Sequence, residues 1–212
     1  MIPQTATPEP GKRWFEPSCA LLMAVASVAT AWCSYQSSSW SGESADLATQ
    51  AAKLHRETNV MHLESRQIEA NQMRFFMEAI DAEMDGNDKL ARFYRARFSD
   101  ELKPAYVRWK ALNPLEDPAA PPTPFAAALY QPRFHDEIRA GHEESSRAEE
   151  KSKAAGHVAS KYLNHTVSLA TVLLFAATAE KFDQRRVRRG ALTFAIALFL
   201  YSAVRTALRP IL

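Results

Sequence analysis

Glycine and cysteine are scarce in this chain, with six glycines and two cysteines among 212 residues. Six glycines leave little material for phosphate-cradling loops, and neither a Gly-x-x-x-x-Gly-Lys loop nor a Gly-x-Ser-x-Gly nucleophile turn occurs. The serine run Ser37, Ser38, Ser39 and Ser41 therefore lacks the context of a nucleophile. Cys19 and Cys33 lie 14 residues apart in one apolar segment. That is about 21 Å along a helix, too far for a mutual disulfide. They read as small apolar residues, with cross-linking of Cys33 to another copy as the alternative. Neither His-Glu-x-x-His nor the Glu-x-x-His of di-iron bundles is present. The length excludes a doubly wound nucleotide-binding fold or a barrel and allows one or two small domains.

Charge is missing in a patterned way. Residues 41–163 carry 17 Lys/Arg and 20 Asp/Glu, leaving the other 89 residues only 9 of the chain's 26 basic and 4 of its 24 acidic side chains. Three segments are charge-poor. No charged residue lies between Glu16 and Glu43, so residues 17–36 are long enough to cross a hydrocarbon core of about 30 Å. Trp14 and Phe15 at one end, and Trp32, Tyr35 and Trp40 at the other, sit where aromatic belts form. A second segment, 162–180, starts with Asn164, His165, Thr166 and Ser168 before the apolar run 172–177. A third, 190–208, is complete if Arg205 snorkels to the interface.

Lys12 and Arg13 precede the first segment, and Lys181, Arg185, Arg186, Arg188 and Arg189 separate the second from the third. Positive loops stay in the cytoplasm, so both signals place residues 1–16 and 181–189 inside and residues 37–161 outside, with a short tail, 209–212, also outside. Anionic lipid or nucleic acid would also suit the arginines, but topology alone accounts for them. A cleavable signal peptide ending at Ala29-Thr30-Ala31 is a rival for the first segment. A lipoprotein reading at Cys33 is poorer, because Trp32 replaces the small residue required before a lipidated cysteine.

In the polar region, Leu47, Leu54, Met61, Ile68 and Phe75 recur every seven residues, with Ala51, Thr58, Ser65, Gln72 and Ala79 four places after each. This heptad seam predicts a helix over about 40–84, and its backward extension through Trp40 and Cys33 joins it to the first membrane segment. Asp85-Gly86-Asn87-Asp88 should end it, with Gly86 in a left-handed conformation and Asn or Asp capping the next helix. A helix over 88–112 carries the most aromatic face of the chain and should kink at Pro104. Six prolines between Asn113 and Pro132 predict an extended connector over 113–132, ordered by Leu115, Phe125, Leu129 and Tyr130. A helix over 133–161 shows a second seam: Phe134, Ile138, Gly141, Ser145, Ala148, Ser152, Ala155, Ala159 and Tyr162. Nearly all are small. The expected fold is all-α, with three transmembrane helices and an extracytoplasmic antiparallel hairpin. In it, large residues of the first seam meet small ones of the second, pairing position 54 with about 155 and 68 with about 141.

Glu101-Leu102-Lys103-Pro104-Ala105, Trp109, Asn113-Pro114, Ala120-Pro121-Pro122-Thr123-Pro124-Phe125 and Tyr130 together resemble a family of small bacterial inner-membrane proteins. Its members have one membrane helix, a polar helical region with a proline-rich insert and two closing membrane helices. The resemblance implies a bacterial inner-membrane location and no established activity.

The functional expectation is a non-enzymatic, multi-pass membrane protein without cofactors, whose polar region mediates assembly, scaffolding or sensing. Its partners are the lipid bilayer and copies of itself or other membrane proteins, not nucleic acid. The alternative is a small transporter or channel lined by Asn164, Ser168, Thr171 and Thr178, which share a helical face, with His165 beside them. Helix packing explains that stripe equally well. His55 with His62, and His135 with His142, have heptad spacing, and an antiparallel hairpin could in principle set one pair against the other. Two ligands on one helix need i, i+4 spacing, so these four read as structural histidines before they read as a metalloenzyme.

Overall fold

A computed structural model describes residues 15–182 and 184–212, so Lys12, Arg13 and Trp14 lie outside the described residues. Among the described residues the fold is all-helical. Its elements are α1 Phe15–Met84, α2 Asp88–Arg95, α3 Leu102–Lys110, α4 His135–Lys181 and α5 Arg185–Ala207. The heptad column that joins Cys33 to Leu47 has its counterpart in α1, a single 70-residue helix. Helices α1, α4 and α5 each contain a stretch long and apolar enough to cross a membrane. The chain divides into two compact units: residues up to Thr49 with Ala148–Leu212, and Gln50–Arg147.

The first unit packs its small residues inward. Ala26, Ala176, Ala179 and Ala195 are buried, whereas Leu21, Val28, Val167, Leu174 and Leu200 are exposed. This is the reverse of a water-soluble bundle and is how helices associate in lipid, where tails solvate leucine as well as protein does. Ala26, Val172 and Ala195 form one cluster with Leu22, Leu198 and Phe199 around them, and Cys33, Tyr162 and Leu169 form another. Both cysteines are buried and free, and Cys33 Sγ lies 3.7 Å from the Thr206 hydroxyl. Helices α1 and α4 run antiparallel here. Ser37 donates to the Ala159 carbonyl at 3.0 Å. Ser44 donates to Ser152 O at 2.9 Å and Ser152 donates back to Ser44 O at 2.8 Å. The buried amide of Gln36 takes both backbone groups of Leu212, donating to its carbonyl and accepting from its N–H at 3.2 Å.

The second unit has an aromatic core of Phe76, Phe98, Leu102, Tyr106, Trp109 and Tyr130 with Ala79 and Ala105 between them. Phe76 meets Trp109 edge-on at 5.1 Å and Phe98 meets Tyr106 at 5.3 Å; such pairs add about 0.5–1.5 kcal/mol each beyond burial. Burial, with the charges of Glu69 and Glu101, pushes the Tyr130 hydroxyl pKa up to about 12. Gly86 adopts φ +73° after α1, and Asn87 Oδ1 accepts the Leu90 N–H at 3.1 Å to cap α2.

Three expectations fail locally. The helix expected over 88–112 is two helices, broken at 96–101. Pro104 does not kink a helix; it stands in the first turn of α3, where its missing N–H costs nothing, while its ring would clash with the carbonyl four residues back if the helix continued. Ser99 seals the break by accepting the Leu102 N–H on its hydroxyl at 3.2 Å, and Gln72 Oε1 accepts the Ser99 N–H at 2.7 Å. In the connector, Phe125, Leu129 and Tyr130 pack on the core, but Leu115 is 73% exposed. The Trp109 indole N–H donates to Pro121 O at 2.7 Å and Arg108 donates to Leu129 O, which ties the connector to α3. Finally, Phe134 has φ +61°, so α4 starts at His135 and not at Arg133; the Arg133 guanidinium stacks over the Phe134 ring at 5.1 Å.

Candidate functional site: a cleft lined by histidines

Within the second unit α1 and α4 come into close contact at Thr58 and Gly141. A Cβ on Gly141 would lie 2.2 Å from Thr58 Oγ1 and 3.3 Å from its Cβ. Contact this tight requires a residue without a side chain. It sets His55 against His142, with ring centroids 5.8 Å apart and planes at 62°. One heptad further along α1 and one heptad back along α4, His62 and His135 line the same cleft as His142, together with Ile138, Glu69 and Glu143. The cleft encloses about 450 Å³. Its arginines are paired along their own helices: Arg66 with Glu69 at 3.6 Å and Arg139 with Asp136 at 3.2 Å. Among the described residues the four imidazoles have no hydrogen-bond partner, and no three His, Cys, Asp or Glu side chains converge on one point.

No family model, curated protein or solved structure matches the chain. The chemistry of the cleft is therefore that of its own geometry.

The register differs from the expected one. Position 55 faces 142 in the second unit, and position 44 faces 152 in the first, so neither 54 with 155 nor 68 with 141 is the pairing. The deepest column on α1 is also the small one. Ala51, Thr58, Ser65, Gln72 and Ala79 are buried, whereas Leu47, Leu54, Met61, Ile68 and Phe75 are half-buried. Small residues on both helices let the backbones approach, and the large ones flank the contact. On α4, Ile138 is half-buried and Ala148 and Ala155 are buried.

The remaining candidate positions fall elsewhere. His165 is buried with Leu169 on the packed face of α4, while Asn164 is exposed and Ser168 and Thr171 are half-buried. Ser168 and Thr171 donate to their own helix, to Asn164 O and Val167 O, both at 3.0 Å. Hydroxyls satisfied this way need neither water nor a solute. Lys181, Arg185, Arg186 and Arg189 are exposed and Arg188 is half-buried, at the α4–α5 junction.

Two features were not anticipated from the sequence. Glu83 accepts from Lys110, from Arg95 and from the Tyr106 hydroxyl at 3.1 Å. Burial acts to raise its pKa, but the hydrogen bonds from Lys110 and Tyr106 and the charges of Lys110 and Arg95 outweigh it and hold the carboxyl below its usual range. No local pattern announces this cluster, since the partners lie 12, 23 and 27 residues away. The second feature had a signal. Leu63, Ala70, Met77 and Met84 also recur every seven residues on α1. All four are exposed, Leu63 by 68% and Met84 by 73%.

Proposed function

We propose that the chain is a three-span, non-enzymatic membrane protein whose polar helical unit assembles with a second copy. The uncovered heptad stripe of Leu63, Ala70, Met77 and Met84 carries this reading. A helix that already buries one heptad column against α4 has no intramolecular use for a second, and an apolar stripe of this length in water favours association. The long α1 and α4, each apolar at one end and polar at the other, support the sidedness inferred from the basic residues: residues 1–16 and 181–189 cytoplasmic, 37–161 extracytoplasmic. The resemblance to small bacterial proteins supports an inner-membrane location.

Fusions test the topology. A reporter active only outside the cytoplasm should be active at position 115 and silent at 186, and the reverse would overturn the charge argument. Assembly is tested by Leu63→Cys and Met77→Cys in a Cys19→Ala/Cys33→Ala background, which should form disulfide-linked dimers under mild oxidation, while Leu63→Glu should abolish them. A monomer that cross-links at neither position refutes the reading.

A further inference from the structure

Imidazole nitrogens suit zinc, copper and nickel, and each neutral ring offers one lone pair for coordination. Two imidazoles on one tetrahedral zinc, with Zn–N of about 2.0–2.1 Å, have centroids roughly 5–6 Å apart. His55 and His142 stand at 5.8 Å. They come from different helices, and the tight contact of Gly141 with Thr58 fixes the backbone beside each. Arg139, three residues before His142, is already paired with Asp136, and Arg66 in the neighbouring cleft with Glu69. His62 and His135, about 10 Å along the helices, line the neighbouring cleft together with His142.

We propose that His55 and His142, at the edge of this cleft, bind a divalent transition-metal ion of the zinc type, with water completing the shell. Two protein ligands make this an exchangeable site, weaker than a structural zinc held by four. Because the ligands sit on separate helices, the ion bridges α1 and α4 and binds only when they are packed. Bound metal therefore stabilises the unit, by an amount that grows with the logarithm of its concentration above Kd. The site depends on neither assembly nor sidedness, since it uses only the second unit's geometry.

The test is titration of the full chain in detergent with zinc chloride, followed by calorimetry, with thermal melting in zinc and in a chelator. Zinc at about ten times its Kd should raise Tm by roughly 3–6 °C. His55→Ala and His142→Ala should each weaken binding at least about tenfold, and the double variant should lose less than the two single losses combined, because both residues serve one ion. His157→Ala, on α4 outside the cleft, should bind as the parent does. Both ligand rings are exposed, so melting in chelator should match the parent; His55→Gln and His142→Gln provide bulkier variants if it does not. Unchanged binding in both ligand variants, equal loss in His157→Ala, or loss only on removing His62 or His135 each overturns the assignment. So does absence of binding by the folded chain up to about 1 mM zinc. Repeating the titration on Leu63→Glu separates the two readings: zinc binding that persists in the monomer leaves the metal site standing whatever becomes of assembly.

Discussion

Gly141→Ala sets two effects against each other. In an unobstructed helix the change stabilises by about 1 kcal/mol, because glycine loses more backbone entropy on folding than alanine does. At position 141 the new methyl would meet Thr58 Oγ1 at 2.2 Å, Thr58 Cβ at 3.3 Å and its Cγ2 at 3.4 Å. Rotating Thr58 about χ1 leaves its Cβ at 3.3 Å, so the helices must move apart or the side chain must change rotamer, at a cost of about 1–3 kcal/mol. Gly141→Ala should therefore be destabilising by up to about 2 kcal/mol. With each kcal/mol worth about 2–4 °C in a chain of this size, the melting midpoint should fall by several degrees. Thr58→Ala removes Oγ1 and Cγ2 and leaves only the Cβ at 3.3 Å, so the double variant should be more stable than Gly141→Ala alone, with a favourable coupling of about 1–3 kcal/mol in the cycle. Gly42 and Gly190 also lie in helices, and nothing stands within 4 Å of an added Cβ. Their alanine variants should be stabilised by about 0.5–1 kcal/mol. Thermal melting of the five variants in detergent reads all of these. A Gly141→Ala variant that melts above the parent, or a double variant with no coupling, would refute the close approach of α1 and α4 at this point.

Ala155→Leu, on the buried α4 face of the first unit, should cost about 1–3 kcal/mol by overpacking. Glu149→Leu should leave melting unchanged to within about 0.5 kcal/mol, since Glu149 is exposed and its ion pair with Lys153, one turn on, lies at the surface. Gln72→Leu leaves the Ser99 N–H without its acceptor and should cost about 1–3 kcal/mol in chemical denaturation, with earliest hydrogen exchange around residues 96–101. Glu83 has a pKa lowered from 4.5, so its contribution is present at neutral pH and fades as pH falls through and below the ordinary carboxylate range. The melting difference between the parent and Glu83→Gln should accordingly be largest near neutrality and shrink between about pH 5 and 3; a difference that grows on acidification would contradict the sign.

Helix content and the location of the apolar segments were legible because periodicity and hydropathy are local properties. The end of α1 was legible for the same reason, because the N–H groups of left-handed Gly86 and of Asn87 return to the Glu83 and Ala82 carbonyls within five residues. Register was not. A heptad column repeats every seven residues, so it fixes which face is buried and leaves the helices free to slide past each other by whole repeats. His55 and His62 against His135 and His142 held the missing information, since only one slide brings both pairs opposite one another. In the seam, size is a poor guide to depth: Leu54 and Met61 are half-buried and Thr58 is buried, because close backbone approach selects the smaller side chain. The Glu83 cluster and the break before Pro104 were illegible because each is settled by a partner far along the chain, Lys110 for the first and Gln72 for the second.

The reciprocal Ser44–Ser152 bonds have a thermal consequence. A contact made of hydroxyls, alanines and glycine exposes little apolar surface when it parts, so its opening carries a small heat-capacity change, whereas the rings around Phe76 expose much more. Cooling should weaken the aromatic cluster and leave the serine contact nearly as strong as before.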